Sequence, residues 1–164
     1  MNSKIIILSG KIHSGKTTEL LEWSSKNSDC AGILAPVIDG KRFLKLLPSG
    51  KIFPLEALEN GEKDILICGK YKFYETAFKK ANEYICNIDI LSYKTIIIDE
   101  AGFLELNDSG LNDSIEYLLT QIKEKNPELK IIIVVRDYLV EKIKKKYNIK
   151  ECEVITKETL EALK

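Results

Sequence analysis

The sequence predicts an α/β fold in three layers, with a mostly parallel β-sheet covered by helices on both faces. Several segments are continuous runs of Ile, Leu and Val, which are typical of strands buried on both faces. These runs alternate with segments of helical periodicity, and such alternation is typical of parallel strands joined by helices. The 164 residues are enough for one domain with a real core. We therefore expect a single domain over residues 1–164.

The predicted strands are short apolar runs, mostly β-branched, that end at turn or charged residues. They are Lys4–Ser9, Ala31–Ile38, Thr95–Ile98, Lys130–Val135 and Glu153–Ile155. Two further extended runs flank the turn Pro48-Ser49-Gly50, which predicts an antiparallel β-ribbon near residues 42–54, appended to the main sheet. Residues 56–64 are interpreted as a polar connection, and the apolar run 65–68 fits no single element.

The predicted helices place their apolar residues three and four positions apart. They are Lys16–Lys26, Phe73–Ile85, Asn112–Lys125, Tyr138–Lys146 and Lys157–Leu163. The third of these ends just before Pro127, whose ring disfavours a helical residue before it. Strands and helices thus alternate along most of the chain.

Composition excludes several classes of function. Lys and Arg together number 25, as do Asp and Glu, so there is no basic field to attract nucleic acid. No apolar run approaches the roughly 20 residues of a membrane helix, and the first residues lack a signal-peptide pattern. The four cysteines are widely spaced, which favours reduced thiols over a zinc site. We expect a cytoplasmic protein, monomeric or weakly oligomeric, that binds neither nucleic acid nor membrane.

A phosphate-binding pattern stands between the first strand and the first helix. Gly-x-x-x-x-Gly-Lys-Thr is formed by Gly10, Lys11, Ile12, His13, Ser14, Gly15, Lys16 and Thr17. In such a P-loop the backbone N–H groups and the helix N-terminus bind phosphate. Lys16 is predicted to reach the β and γ phosphates, Thr17 to bind Mg²⁺, and Thr18 to touch the α phosphate. His13 is interpreted as a solvent-facing loop residue that contributes its backbone, although a catalytic ring is the alternative.

A second motif follows the strand Thr95–Ile98, which ends in Asp99-Glu100. A carboxylate at the tip of a buried strand can bind Mg²⁺ or one of its waters, and Asp99 is the candidate. Glu100 directly after it is typical of P-loop ATPases in which this residue orients or deprotonates the attacking water. Hydrolysis is therefore the leading chemistry.

In ATPases of that kind, the strand after the Asp-Glu pair lies between the other two. Arg136 then stands at a strand tip that faces the γ phosphate, where a cation stabilises charge developing in the transition state. The alternative is a surface arginine paired with Asp137 or Glu141. Glu105, five residues after Glu100, either reaches the site or lies on the surface.

The motifs resemble those of the small nucleoside-triphosphatases known from archaea and thermophiles, and in humans as cancer-related nucleoside-triphosphatase. The shared segments are the P-loop near residue 10, Gly32-Ile33, the segment 39–42, the helix from Phe73, the stretch 97–106 and the segment 154–158. The resemblance implies slow, Mg²⁺-dependent hydrolysis of several nucleoside triphosphates by a RecA-like single domain of the P-loop NTPase class. The segment Lys11-Ile12-His13-Ser14 departs from the Pro-containing loop usual in that family.

Three functions remain open at this level. The first is hydrolysis of ATP, GTP and other nucleoside triphosphates with Mg²⁺. The second is a nucleotide or small-molecule kinase, disfavoured because Arg42 and Arg136 are the two arginines of the chain and phosphate clamps use several. The third is a nucleotide-dependent switch with little turnover. A Ras-like GTPase is disfavoured because the chain has no Asn-Lys-x-Asp motif.

Overall fold

The computed structural model describes residues 4–58 and 62–163, and within them an eight-stranded sheet and a separate two-stranded hairpin. The strands are β1 (Ile5–Gly10), β2 (Cys30–Leu34), β3 (Val37–Ile38), β4 (Lys41–Leu47), β5 (Ile52–Pro54), β6 (Ile65–Cys68), β7 (Tyr71–Tyr74), β8 (Thr95–Ala101), β9 (Lys130–Arg136) and β10 (Glu153–Ile155). Strands β6 and β7 form the hairpin.

Helices occupy the four longest connections between the strands. They are α1 (Lys16–Lys26), α2 (Glu75–Cys86), α3 (Phe103–Leu106), α4 (Asn112–Glu124) and α5 (Val140–Lys146), with 3₁₀ turns at Asp137–Leu139 and Lys157–Ala162. The predicted closing helix is thus a 3₁₀ helix that ends at Ala162. In the described part of the chain, no helix has the length and apolar character needed to cross a membrane.

The order of the strands places β9 between β1 and β8. The order is β10-β1-β9-β8-β2-β4-β3, with β5 paired to β4. From β10 to β2 all neighbours are parallel, and β4 pairs antiparallel with β2. The predicted mostly parallel sheet and the appended antiparallel ribbon are therefore confirmed, and so is the central position of β9.

The side chains of β1 show how the sheet separates two apolar layers. Ile6 and Leu8 pack with Leu20 and Trp23 of α1 on one face. Ile7 belongs to a larger cluster on the other face, which includes residues of α2, α4 and α5. Successive side chains of a strand point to opposite faces, so one Ile/Leu run supplies both cores. This is the predicted three-layer arrangement.

The predicted strand 31–38 is wrong in its second half. Regular pairing with β8 ends at Ile33, and β3 instead pairs antiparallel with Arg42 and Lys41. Pro36 lies at the break because proline has no N–H to donate to a continuing ladder. The chain thereby turns back, and Phe43 N donates to the Pro36 carbonyl at 2.8 Å.

The predicted helix from Phe73 begins two residues later, at Glu75. Phe73 and Tyr74 belong to β7, where Phe73 pairs with Leu66 of β6, and Tyr74 N donates to the Leu55 carbonyl at 2.8 Å. The unassigned run 65–68 is the partner strand of this hairpin. The predicted polar connection 56–64 lies partly outside the described residues.

Gly32 marks a close approach of β2 to β8. Its φ is +133°, and a Cβ at this position would lie 2.1 Å from the Ile97 carbonyl oxygen. Gly32→Ala is expected to lower the free energy of unfolding by about 3 kcal/mol or more, because backbone strain and overpacking each cost roughly 1–3 kcal/mol. Urea denaturation measures this loss.

Gly50→Ala is the matched control. Gly50 also has a positive φ, +74°, but a Cβ there would meet nothing within 4 Å among the described residues. Its substitution should cost about 1 kcal/mol, the strain of a left-handed residue alone. Equal losses for the two variants would contradict the close-approach argument.

Candidate functional site

The P-loop joins the end of β1 to the start of α1. Gly15 precedes the helix with φ +87° and gives it no side-chain cap, so the first N–H groups of α1 are free of intrahelical partners and face the loop. The Lys16 ammonium donates to the Lys11 carbonyl at 2.7 Å and to Ser14 Oγ at 3.1 Å. These are oxygen acceptors of the kind that phosphate supplies. His13 is exposed, with φ +57°, in agreement with its interpretation as a solvent-facing residue.

Asp99 is the most deeply buried charged group near this loop, at 1% exposure. Its Oδ2 accepts the Thr17 hydroxyl at 2.7 Å and the Ala35 N–H at 3.0 Å. Burial raises the pKa of this carboxyl, while the Ala35 and Thr17 hydrogen bonds oppose the rise. The P-loop threonine and the carboxylate at the tip of β8 therefore meet, although 82 residues separate them.

The second oxygen of Asp99 identifies a place for a cation. Oδ1 is buried and has no hydrogen-bond partner among the described residues, an arrangement that is costly unless another group satisfies it. The described residues hold no cluster of three or more His, Cys, Asp or Glu side chains arranged around a metal. Mg²⁺ is bound through one or two protein oxygens together with phosphate and water, so the pair Thr17 and Asp99 fits it.

Glu100 follows Asp99 and makes an ion pair with Arg42. Arg42 Nη1 lies 2.7 Å from Glu100 Oε1 and donates to the Ala35 carbonyl at 3.0 Å. The Arg42 side chain is 10% exposed, whereas that of Glu100 is 37% exposed. A buried guanidinium thus holds one oxygen of a carboxylate that remains open to the cleft.

Glu100 has a left-handed backbone conformation and a raised side-chain pKa. Its φ is +69°, a conformation that costs energy in a residue with a side chain. Burial raises the pKa of Glu100 to about 7, against the lowering effect of the Arg42 guanidinium. A carboxylate whose pKa lies near neutrality is suited to accept a proton during a reaction.

Glu105 does not lie on the surface, so the surface alternative is wrong. The residue is 2% exposed and lines the cleft, and its oxygens accept the Gly102 N–H at 2.7 Å and the Leu111 N–H at 2.9 Å. Gly110 packs directly against it, since a Cβ there would lie 2.3 Å from Glu105 Oε1. Glu105 fixes the segment that follows β8.

Arg136 ends β9 beside the P-loop, with its Cα paired to that of Gly10. Its Nη1 donates to the Tyr138 hydroxyl at 3.2 Å, a partner that the sequence did not predict. The side chain lines the same cleft as Lys16 and Glu100. The structure therefore brings Arg136 to the site, as the strand order predicted.

A cleft of about 470 Å³ connects these groups. Its polar half is lined by Ile12–Thr18, Asp99, Glu100 and Arg136. Gly10 and Lys11 are outside the lining, although the Lys11 carbonyl holds Lys16. The other half is lined by apolar side chains of β4, β7, α2 and the start of the segment before α4.

Arg42 is the site residue that the sequence did not reveal. Along β4 the buried positions alternate as Arg42, Leu44 and Leu46. That period of two places Arg42 on the inward face, where a charged residue needs a partner. The period of two along β4 is therefore the sequence pattern that could have predicted Arg42 as a buried, paired residue.

A solved structure has the same overall fold as this chain. The chain is similar to the crystal structure of THEP1 from the hyperthermophile Aquifex aeolicus, with a TM-score of 0.65, 18% sequence identity, and coverage of 98% of this chain and 96% of that chain. No protein-family model and no curated protein matches the chain. Together with the strand order and the loop between β1 and α1, the similarity shows the fold of a P-loop NTPase.

Proposed function

We propose that this protein is a Mg²⁺-dependent nucleoside triphosphatase that hydrolyses ATP, GTP and other nucleoside triphosphates to the diphosphate and phosphate. The observation that carries the proposal is the Glu100 carboxylate. It stands beside Asp99, opens to the cleft, and is held by the buried Arg42. A base fixed next to a phosphate-binding loop is the group that hydrolysis requires.

Binding of the triphosphate rests on the P-loop. The backbone N–H groups before and in the first turn of α1 face the phosphates, and Lys16 exchanges its contacts with Lys11 and Ser14 for β and γ oxygens. Mg²⁺, when bound at Thr17 and Asp99 Oδ1, neutralises charge on the β and γ phosphates. Thr18 lies on the lining of the cleft and is assigned to the α phosphate.

Glu100 then accepts a proton from water as the water oxygen attacks the γ phosphorus. Arg42 is a positioning residue in this scheme, because its guanidinium holds Glu100 and the Ala35 carbonyl. Arg136 supplies positive charge near the γ phosphate from the tip of β9. The resemblance of the stretch 97–106 to that of the small nucleoside-triphosphatases supports the same reaction, and the fold shared with THEP1 is compatible with nucleotide binding.

The test is phosphate release from ATP, GTP, CTP and UTP, each with Mg²⁺ or with EDTA. We expect metal-dependent release by the wild type and none above background by Lys16→Ala, since the loop then lacks its phosphate-binding cation. Nucleotide binding is measured in parallel by calorimetry. Tight binding without metal-dependent release would overturn the proposal in favour of a nucleotide-dependent switch.

Arg42→Met is expected to lower kcat by roughly 10–100-fold with little change in nucleotide affinity, as a hydrogen bond to a charged group is worth about 1.5–3 kcal/mol. Arg42→Lys should restore part of the rate because it returns the charge without the planar fork. Steady-state kinetics separate kcat from KM. Lys45→Met is the control, since Lys45 lies on the opposite face of the same strand. A change confined to KM would contradict the positioning role.

A further inference from the structure

The apolar half of the cleft is lined by a separate set of side chains from the polar half. We define the apolar compartment by Ala35, Leu44, Leu55, Phe73, Phe78 and Leu111, all of which line the cleft. These residues come from β4, β7 and α2, from the segments that directly follow β2 and β5, and from the residue before α4. Each is at most 8% exposed, so the wall is part of the folded core.

The β6–β7 hairpin covers this compartment. Cys68 and Tyr71 line the cleft from the hairpin, with the Tyr71 ring stacked on Phe73 at 5.9 Å and Phe73 edge-on to Phe78 at 6.0 Å. Backbone hydrogen bonds anchor the hairpin to the segment that follows β5, from Tyr74 N to the Leu55 carbonyl and from Ala57 N to the Lys72 carbonyl, both 2.8 Å. The hairpin that covers the compartment is therefore fixed to the rest of the domain by backbone hydrogen bonds.

Hydrolysis makes no use of such walls. In the proposed scheme the phosphates and the attacking water are bound by groups of the polar half. The ribose and base extend from the α phosphate near Thr18, whereas the compartment begins at Glu100, beside the γ phosphate. Clefts of about 300–1,000 Å³ that combine apolar walls with a few polar groups are typical of small-molecule sites. The cleft here, at about 470 Å³, has both parts, and they meet at Glu100.

The charged and titratable side chains around the apolar compartment favour an uncharged ligand. Arg42 is occupied by Glu100 and the Ala35 carbonyl, and the oxygens of Glu105 are occupied by two backbone N–H groups. Burial raises the pKa of Cys68, so its thiol is neutral. Lys70 is exposed at the rim, over the Tyr71 ring. An anionic molecule in the compartment would thus face the Glu100 carboxylate, while Arg42 is already paired and Arg136 is assigned to the γ phosphate.

We propose that the apolar compartment binds a small uncharged molecule with an apolar body and a hydroxyl group, and that this hydroxyl competes with water for the γ-phosphoryl group. The hydroxyl oxygen bonds to the γ phosphorus as the bond from that phosphorus to the β–γ bridging oxygen breaks. The nucleoside diphosphate leaves with the electron pair, and Glu100 takes the hydroxyl proton. The products are a phosphate monoester and the diphosphate. The inference rests on the proposed function for the bound triphosphate.

The experiment follows γ-³²P-labelled ATP with Mg²⁺ and one of three alcohols, namely benzyl alcohol, cyclohexanol or 1-hexanol, with glycerol 3-phosphate as the charged comparison. Label in organic monoester is separated from label in inorganic phosphate. We expect monoester with the uncharged alcohols and none with glycerol 3-phosphate. In the absence of any alcohol, release of inorganic phosphate tests the proposed function separately.

Cys68→Trp fills the compartment from the hairpin that covers it, at a partly buried position at the edge of the larger apolar cluster. We expect monoester formation to fall by at least about tenfold, equivalent to 1.4 kcal/mol, as the apolar contacts of the alcohol are blocked. Hydrolysis in water should stay within about twofold, the scatter expected for a change that leaves the polar half intact. Ile67→Trp is the matched control, because Ile67 precedes Cys68 on β6, is 70% exposed and is absent from the cleft lining.

Saturation-transfer NMR of benzyl alcohol provides a readout independent of turnover. Transfer to the wild type and to Ile67→Trp, but not to Cys68→Trp, supports the compartment. Hydrolysis without monoester from any of the three alcohols overturns the transfer step, and absence of saturation transfer overturns the binding site. Equal monoester yields from Cys68→Trp and the wild type would show alcoholysis outside the compartment and also overturn the proposal.

Discussion

Glu100→Gln is expected to lower kcat for nucleoside triphosphate hydrolysis by roughly 10²–10⁴-fold, the usual contribution of a positioned general base. The amide has the size of the carboxylate, and its oxygen can still accept the hydrogen bond from Arg42. What is lost is the ability to take a proton from water. Binding of the triphosphate should change little, because Lys16 and the P-loop backbone remain in place.

Single-turnover hydrolysis and nucleotide titrations of Glu100→Gln measure the two effects separately. Glu124→Gln is the control, since Glu124 is exposed at the end of α4, away from the cleft. A Glu100→Gln protein that hydrolyses at the wild-type rate would show that another group, or the substrate itself, accepts the proton. Loss of nucleotide binding would instead indicate that Glu100 acts through the fold of the site.

Asp99→Asn is expected to abolish most Mg²⁺-dependent turnover and yet leave the nucleotide-free protein at least as stable as the wild type. A lost metal ligand removes several kcal/mol of transition-state stabilisation, or more than about a hundredfold in rate. In the absence of metal, however, Asp99 is a buried carboxylate with one oxygen that no described residue satisfies. A neutral amide of the same shape is less costly to bury than this charge.

Thermal unfolding with and without Mg²⁺ and nucleotide tests Asp99→Asn. The wild type should gain stability from the ligands by mass action, whereas the variant should gain little. Asp113→Asn is the control, because Asp113 is exposed in the first turn of α4. A large fall in Tm of nucleotide-free Asp99→Asn would contradict the idea that the residue is retained for binding at the expense of stability.

Sequence patterns located the elements that carry long apolar runs or fixed spacings. The P-loop and the tip of β8 follow from such patterns, because a parallel sheet requires continuous apolar strands and a phosphate loop requires glycine at set positions. The central place of β9 follows instead from the strand arrangement of P-loop ATPases that carry an Asp-Glu pair. The β6–β7 hairpin was missed since Phe73 also fits the helical spacing of Ala77, Phe78 and Ala81. Tertiary pairing of Phe73 with Leu66 decided between the two.

The site was predicted less completely than the fold. Asp99 and Glu100 are adjacent in sequence and belong to one motif, whereas Arg42 reaches Glu100 through pairing between distant strands. For Glu105, the distance from Glu100 was considered but the local pattern Gly-x-x-Glu was not, and that pattern caps α3. The cytoplasmic location, the weak or absent oligomerisation and the single-domain organisation stay predictions.

The peptide groups of Ala35 connect the two acidic residues of the site through main chain. The Ala35 N–H holds Asp99, and its carbonyl holds the Arg42 that pairs with Glu100. Pro36 restricts the preceding residue to extended backbone, which orients both groups. Side-chain substitutions at position 35 leave these backbone groups in place, so a mutational scan would detect only the effect of side-chain size there. The link between the proposed metal ligand, Asp99, and the proposed base, Glu100, would be tested by proline at position 35, or by an ester in place of its amide, since either removes the N–H that Asp99 accepts.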